Sequence, residues 1–155
     1  MRGIFIALGS NLGVRERNLQ RAQQELFAAG IEIVRVSQSA ETPALLPENA
    51  PDAWNIPFLN QVIEVRTTHT PEALLAECKR IETEMGRTAN ARWAPRIIDL
   101  DVVSMDALCI TSEALTLPHP HMHRRAFVLL PLQEIAPDWI HPVLQQPIAE
   151  LVRAL

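Results

Sequence analysis

An α+β fold built on an antiparallel sheet is what this sequence predicts, and three observations carry it. Short apolar runs rich in Ile, Val and Phe recur at residues 3–8, 31–37, 58–67 and 97–104. Two segments of helical period separate them, at residues 14–29 and from Thr70 to Gly86. The resulting order is β-α-β-β-α-β, which is the ferredoxin-like arrangement of an antiparallel sheet with helices on one face.

Each element has its own reason. The run GIFIAL closes on the turn residues Gly9, Ser10 and Asn11. In the first helix, Asn18, Leu19, Ala22, Leu26 and Phe27 form a mixed apolar stripe that stops at Gly30. Residues 31–37 alternate as a strand. Residues 41–57 carry four prolines and read as a loop, and FLNQVIEVRT then alternates again. Thr70 is expected to cap the second helix, with Pro71 at its first turn and acidic Glu72 near the positive end of its dipole. Leu74, Leu75, Cys78, Ile81 and Met85 share one face of that helix. Additional C-terminal elements follow the core: a short strand or turn near 108–110, the loop TLPHPHMHRR, and helices over 125–135 and 147–154.

The totals narrow the function. A chain of 155 residues fits a single domain over 1–155 with a core that needs no staples. A net charge of −4 argues against a general nucleic-acid binder. The apolar N-terminal run is too short for a membrane span and lacks a cleavage pattern, so a cytoplasmic protein without membrane partner is expected. Cys78 and Cys109 have no C-x-x-C spacing; both read as small core residues in a reducing compartment. Nothing demands more than a monomer.

The chemistry concentrates in RWAPRIIDLDVV, residues 92–103. Side chains at i and i+2 of a strand share a face, so Asp99 and Asp101 project together while Ile98, Leu100 and Val102 face the core. A bare D-x-D is usually a solvated strand face. Here Arg87, Arg92 and Arg96 precede it, and Arg124 and Arg125 follow a His-rich loop. Paired carboxylates suit Mg²⁺, which keeps waters and substrate phosphates in its shell, and forked arginine donors suit a polyphosphate. His119, His121 and His123 form H-P-H-M-H, but no acidic or thiol partner completes a tetrahedral set. A phosphate contact for His119 and solvent exposure for the other two is the preferred reading.

RWAPRIIDLDVV also resembles the signature of the 6-hydroxymethyl-7,8-dihydropterin pyrophosphokinases of folate biosynthesis: basic, any, Gly or Ala, small or Pro, Arg, two residues, Asp, aliphatic, Asp, two aliphatics. IALGSNLG (6–13), SAETPAL (39–45), FLNQV (58–62), RIETEMGR (80–87) and LPHPHMHRRAFVLLPLQEIAPD (117–138) match in order, so the likeness covers nearly the whole chain. It implies transfer of the pyrophosphate of ATP to the hydroxymethyl group of the pterin, with AMP released. By the same likeness, Asp99 and Asp101 would hold two Mg²⁺ ions, and Arg87 and Arg96 would belong to a catalytic loop. Glu82, Trp93, His119 and Arg125 would lie against ATP. Thr42, Leu45, Phe58, Asn60 and Phe127 would hold the pterin, with Phe58 and Phe127 on its two faces. The chain departs from the common pattern at Leu46, Phe58, Ala114 and Pro120, in a longer first loop, and in a catalytic loop one residue shorter. Two rivals remain at the level of residues alone: a two-metal nucleotidyltransferase on a ferredoxin-like palm, and an RNA-binding module, against which the missing aromatic RNP pattern speaks.

Overall fold

The computed structural model describes residues 3–86 and 93–155. Arg87 and Arg92 therefore lie outside the described residues. The elements are β1 (Ile4–Ser10), α1 (Arg15–Ala28), β2 (Glu32–Val36), β3 (Ala40–Thr42), β4 (Phe58–Arg66), α2 (Pro71–Glu84) and β5 (Asp99–Met105), then β6 (Ile110–Thr111), β7 (Thr116–Leu117), α3 (Ala126–Ile135) and α4 (Ile148–Arg153).

The main sheet is antiparallel in the order β2-β4-β1-β5, the ferredoxin-like order that the sequence predicts. Period-2 alternation splits its two faces. Ile4, Ile6 and Leu8 of β1, Ile63 and Val65 of β4, and Leu100 and Val102 of β5 enter one core. Leu19, Ala22 and Leu26 of α1 and Leu74, Cys78 and Ile81 of α2 cover it. Thr70 caps α2 as expected, its hydroxyl accepting the Ala73 N–H at 3.2 Å. Gly30, at φ 84°, ends the α1 turn in a conformation that L residues rarely adopt.

The opposite face is not left to solvent. Phe5, Val62 and Val103 pack there against Leu129 and Leu132 of α3, Trp139, and Ile148 and Leu151 of α4. Helices therefore flank both faces, not one. Apolar residues at successive strand positions, as in IFIAL, are what a sheet buried on two sides requires.

Other departures have local causes. Residues 40–42 form β3 instead of starting the loop, because Ala40, Glu41 and Thr42 pair with Asn60, Leu59 and Phe58 before Pro43 ends the ladder. β2 and β3 thus share one edge of β4. At the break between them the Ser37 hydroxyl accepts the Val62 N–H at 2.9 Å, which keeps the ladder satisfied. Phe27 is 69% exposed and not part of the α1 stripe, while the Asn18 amide turns back to Leu12 O at 2.7 Å and Ser10 Oγ at 3.1 Å. Cys78 is buried but Cys109 is exposed, on the turn before β6. Among the described residues no helix is long and apolar enough to cross a membrane.

Candidate active site

The α3/α4 core covers only part of its sheet face, and the register shows where it ends. Ala7 of β1 lies opposite Val62 and Asp101; the next same-face position, Gly9, lies opposite Asn60 and Asp99. From that rung onward the face carries Phe58, Asn60 and Asp99, none of them part of the α3/α4 core. With strands about 4.8 Å apart, the backbones of Asn60 and Asp99 stand roughly 10 Å from each other across Gly9. A pocket of ≈ 280 Å³ opens here.

Gly9 is the floor of the pocket. A Cβ at that position would stand 3.0 Å from Asn60 Oδ1 and 3.4 Å from the Phe58 ring. The missing side chain lets both groups lie flat against β1. Asn60 is fixed by its amide, which donates to the Thr42 hydroxyl across the β3–β4 ladder. Phe127, in the first turn of α3, lines the same pocket as Phe58, Thr42, Pro43 and Leu45. The Arg125 guanidinium lies 5.5 Å from the Phe127 ring centroid and so joins the aromatic end to the charged one.

At the other end stand Asp99 and Asp101, with Trp93, Ala94, Arg96 and Lys79 on the surrounding wall. Asp99 is half-buried and Asp101 exposed, in keeping with their common face. Arg96 Nη1 donates to Asp99 Oδ1 at 2.8 Å. His119 is anchored through its backbone, whose N–H donates to Val103 O at 2.8 Å. Burial holds its imidazole below the ordinary value; the Asp101 charge opposes this, and Arg125 and His121 push the same way as burial. The His121 N–H donates to His119 Nδ1 at 3.3 Å, which leaves the proton of the neutral ring on Nε2.

Ten of the residues singled out from the sequence line one pocket: Thr42, Leu45, Phe58, Asn60, Trp93, Arg96, Asp99, Asp101, Arg125 and Phe127. Glu82 does not. It is 2% exposed, and its Oε2 accepts the Leu100 N–H at 2.9 Å from the α2 side of β5. His119 is not among the lining residues, but the Asp101 and Arg125 charges act on its imidazole. His121 is exposed, but His123 is half-buried with its ring 6.3 Å from that of His141. Among the described residues no cluster of three His, Cys, Asp or Glu is placed to hold a metal.

The sequence reading passed over three contributors. Gly9 and Asn11 read as turn residues in the sequence; the structure puts Gly9 within β1 on the pocket floor and Asn11 directly after the strand, where it bonds to the Arg96 and Ile56 segments. Lys79 precedes Glu82 by one helical turn, and its Nζ lies 3.5 Å from Glu82 Oε1. That spacing was the available signal.

Comparison with known proteins identifies the family. The family model described as 7,8-dihydro-6-hydroxymethylpterin-pyrophosphokinase (HPPK) matches residues 5–137. A Methylorubrum extorquens protein named 2-amino-4-hydroxy-6-hydroxymethyldihydropteridine pyrophosphokinase is 41% identical over 138 residues, 88% of this chain and 84% of its own length. Its Bacillus subtilis namesake is also 41% identical, over 84% of this chain and 76% of its own. A Chlamydia trachomatis folate synthesis bifunctional protein is 38% identical over 86% of this chain, which spans only 30% of that longer protein. The Plasmodium falciparum HPPK-DHPS structure with pteroate superposes with a TM-score of 0.74 at 16% identity, over 99% of this chain and 44% of that one, a likeness of fold. With a family match that runs from β1 past the end of α3, and with the Methylorubrum and Bacillus relatives matched over most of their own length, the chain belongs to the 7,8-dihydro-6-hydroxymethylpterin-pyrophosphokinase family.

Proposed function

We propose that this chain transfers the β,γ-pyrophosphoryl group of ATP to the hydroxymethyl oxygen of 6-hydroxymethyl-7,8-dihydropterin, giving the pterin diphosphate and AMP. The observation that carries this reading is the pocket's polarity. Across Gly9, Phe58 and the Asn60–Thr42 pair stand on the β4 side and the two aspartates on the β5 side, and Phe127, Arg96, Arg125 and Lys79 complete the lining. A flat heterocycle and a polyphosphate are the ligands that such sides accept, and they meet within one cavity.

At the ring end, Phe58 and Phe127 supply the two faces for stacking. Asn60 and Thr42 read the ring's edge, since an amide both donates and accepts. Leu45 adds its backbone and an apolar lip. At the phosphate end, Arg96, Arg125, Lys79 and the Nε2–H of His119 oppose the charge of the triphosphate. Trp93 closes that wall against water. Arg87 is assigned to the same catalytic loop from the sequence.

Asp99 and Asp101 fit Mg²⁺, and two ions are the stoichiometry we propose. Both are carboxylates, both share one sheet face, and that face opens into the pocket where waters and phosphate oxygens would complete the shell. Magnesium bound there would supply charge stabilisation at the phosphate oxygens. In the transfer, the pterin hydroxyl oxygen bonds to the β-phosphorus as the bond from that phosphorus to the α–β bridging oxygen breaks. AMP leaves with the electron pair, and the hydroxyl proton passes to solvent.

The test is product identity. Purified protein with MgATP and the hydroxymethyl pterin should form AMP in step with pterin consumed; release of inorganic pyrophosphate with AMP incorporation would instead mark a nucleotidyltransferase. D99N and D101N should each lower turnover by roughly a hundredfold or more. Unchanged turnover in both would sink the carboxylate assignment.

A further inference from the structure

Asn11 follows β1 directly and is 1% exposed. Its polar atoms reach two segments far apart in sequence. The Arg96 N–H donates to Asn11 Oδ1 at 2.7 Å, and the Asn11 N–H donates to the Arg96 carbonyl at 3.0 Å, so these two residues close a reciprocal pair. Asn11 Nδ2 donates to the Ile56 carbonyl at 3.0 Å. Ile56 ends the long loop two residues before Phe58, and Arg96 lies three residues before Asp99. We propose that Asn11 is a positioning residue that couples the two halves of the site, fixing the segment that delivers Phe58 relative to the segment that delivers Arg96 and Asp99.

The inference rests on the assignment of ring and phosphate ends under Proposed function. Its physical basis is the chemistry of one planar group. A carboxamide carries an acceptor and a donor at fixed separation, so it can hold an N–H on one side and a carbonyl on the other. In a buried position, movement of either loop leaves a polar group unpaired, which is costly. The two loops therefore shift together. The turn itself is braced, since Asn18 Nδ2 donates to Leu12 O at 2.7 Å. Arg15 makes a useful contrast. Its Nη1 donates to the Pro57 carbonyl at 2.9 Å and its other nitrogen pairs with Glu41, so it steadies the ring side alone.

Coupling of this kind is reciprocal: a ligand that fixes one loop prepares the site of the other. The experiment measures pterin affinity by calorimetry on the full chain, alone and with a saturating non-hydrolysable ATP analogue and Mg²⁺. In the native protein the analogue should tighten pterin binding by about tenfold, within the usual range of coupling. N11A should bring that ratio close to one. R15A should weaken pterin binding in both conditions and keep the ratio, which a general loss of structure at Asn11 would not reproduce. If melting shows that N11A does not fold, N11D decides; it has the same size, keeps an oxygen for the Arg96 N–H and loses the donor to Ile56. A native ratio of one, or a ratio in folded N11A or N11D within about twofold of native, overturns the proposal. AMP formation by the native chain is scored alongside, so a native ratio of one with intact turnover overturns this inference without touching the reaction.

Discussion

The Glu82 carboxylate accepts the backbone N–H of Leu100 at 2.9 Å, at the residue between the two pocket aspartates. Leu100 stands opposite Leu8 of β1 on the edge strand β5, and its N–H points off the outer edge of the sheet, where α2 brings Glu82 to meet it. A glutamate that looks like a ligand contact in the sequence is thus a buried brace on β5. E82A should cost about 1–3 kcal/mol, the range for a buried donor left unpaired. E82Q keeps an acceptor oxygen and should lose less. Urea unfolding measures both, and an E82A variant as stable as the native chain would refute the brace. In steady state, E82A should lower kcat more than it raises KM for the pterin, since it disturbs the aspartates and not the ring end.

Phe127 lines the pocket, with the Arg125 guanidinium over its ring at 5.5 Å. F127A removes a stacking surface, and pterin binding should weaken by roughly tenfold to a hundredfold. Affinity for the ATP analogue should move by no more than about threefold, through the loosened Arg125. Equal losses for both ligands would count against the stack. Phe58→Leu, measured the same way, tests the opposite face of the ring.

How much of this was legible in the sequence depends on the range of each interaction. Period-2 alternation placed Asp99 and Asp101 on one face, because strand geometry is local. Thr70 and Gly30 marked helix ends for the same reason. The fate of Phe27 was not local: α1 buries Leu19, Ala22 and Leu26, and the rotation of that stripe against the sheet leaves the neighbouring Phe27 in solvent. β3 was missed because strand pairing is decided by the partner strand, here the first three residues of β4. The roles of Asn11 and Glu82 in holding the backbone are not legible in the sequence, because their partners, Arg96, Ile56 and Leu100, are distant in it. The pocket's residue types were readable; the hydrogen bonds that hold them in place were not.

The two thiols should behave in opposite ways. Cys109 is exposed, whereas Cys78 lies in the core between α2 and the sheet. Burial pushes the Cys78 thiol up to about 12, with the Glu82 and Asp101 charges adding to the effect, so almost no thiolate exists near neutrality. A disulfide reagent should therefore titrate one thiol in the native protein and a second only after denaturation. C109S should abolish the native reaction. Two rapidly reacting thiols in the folded chain would contradict the burial of Cys78.

His141 should make the fold acid-sensitive. The N–H groups of Val143 and Leu144 donate to its Nδ1 at 3.2 and 3.0 Å, and its ring packs edge-on against Trp139 at 5.7 Å. A protonated ring would turn that acceptor into a donor facing two donors. Burial holds the group below its ordinary value and the His123 charge adds to this. The sign follows: the unfolded chain takes up the proton at a higher pH than the folded one does. Stability from His141 is complete above the unfolded value and is lost as pH falls through the lowered folded value. His119, also depressed, contributes in the same direction. Between about pH 7 and pH 5 the native chain should lose stability with a slope of up to roughly 1.4 kcal/mol per pH unit for each such proton. H141A should be less stable at neutral pH and show a shallower slope, the remainder belonging to His119. Urea midpoints across that range decide it; an unchanged slope in H141A would assign the acid sensitivity elsewhere.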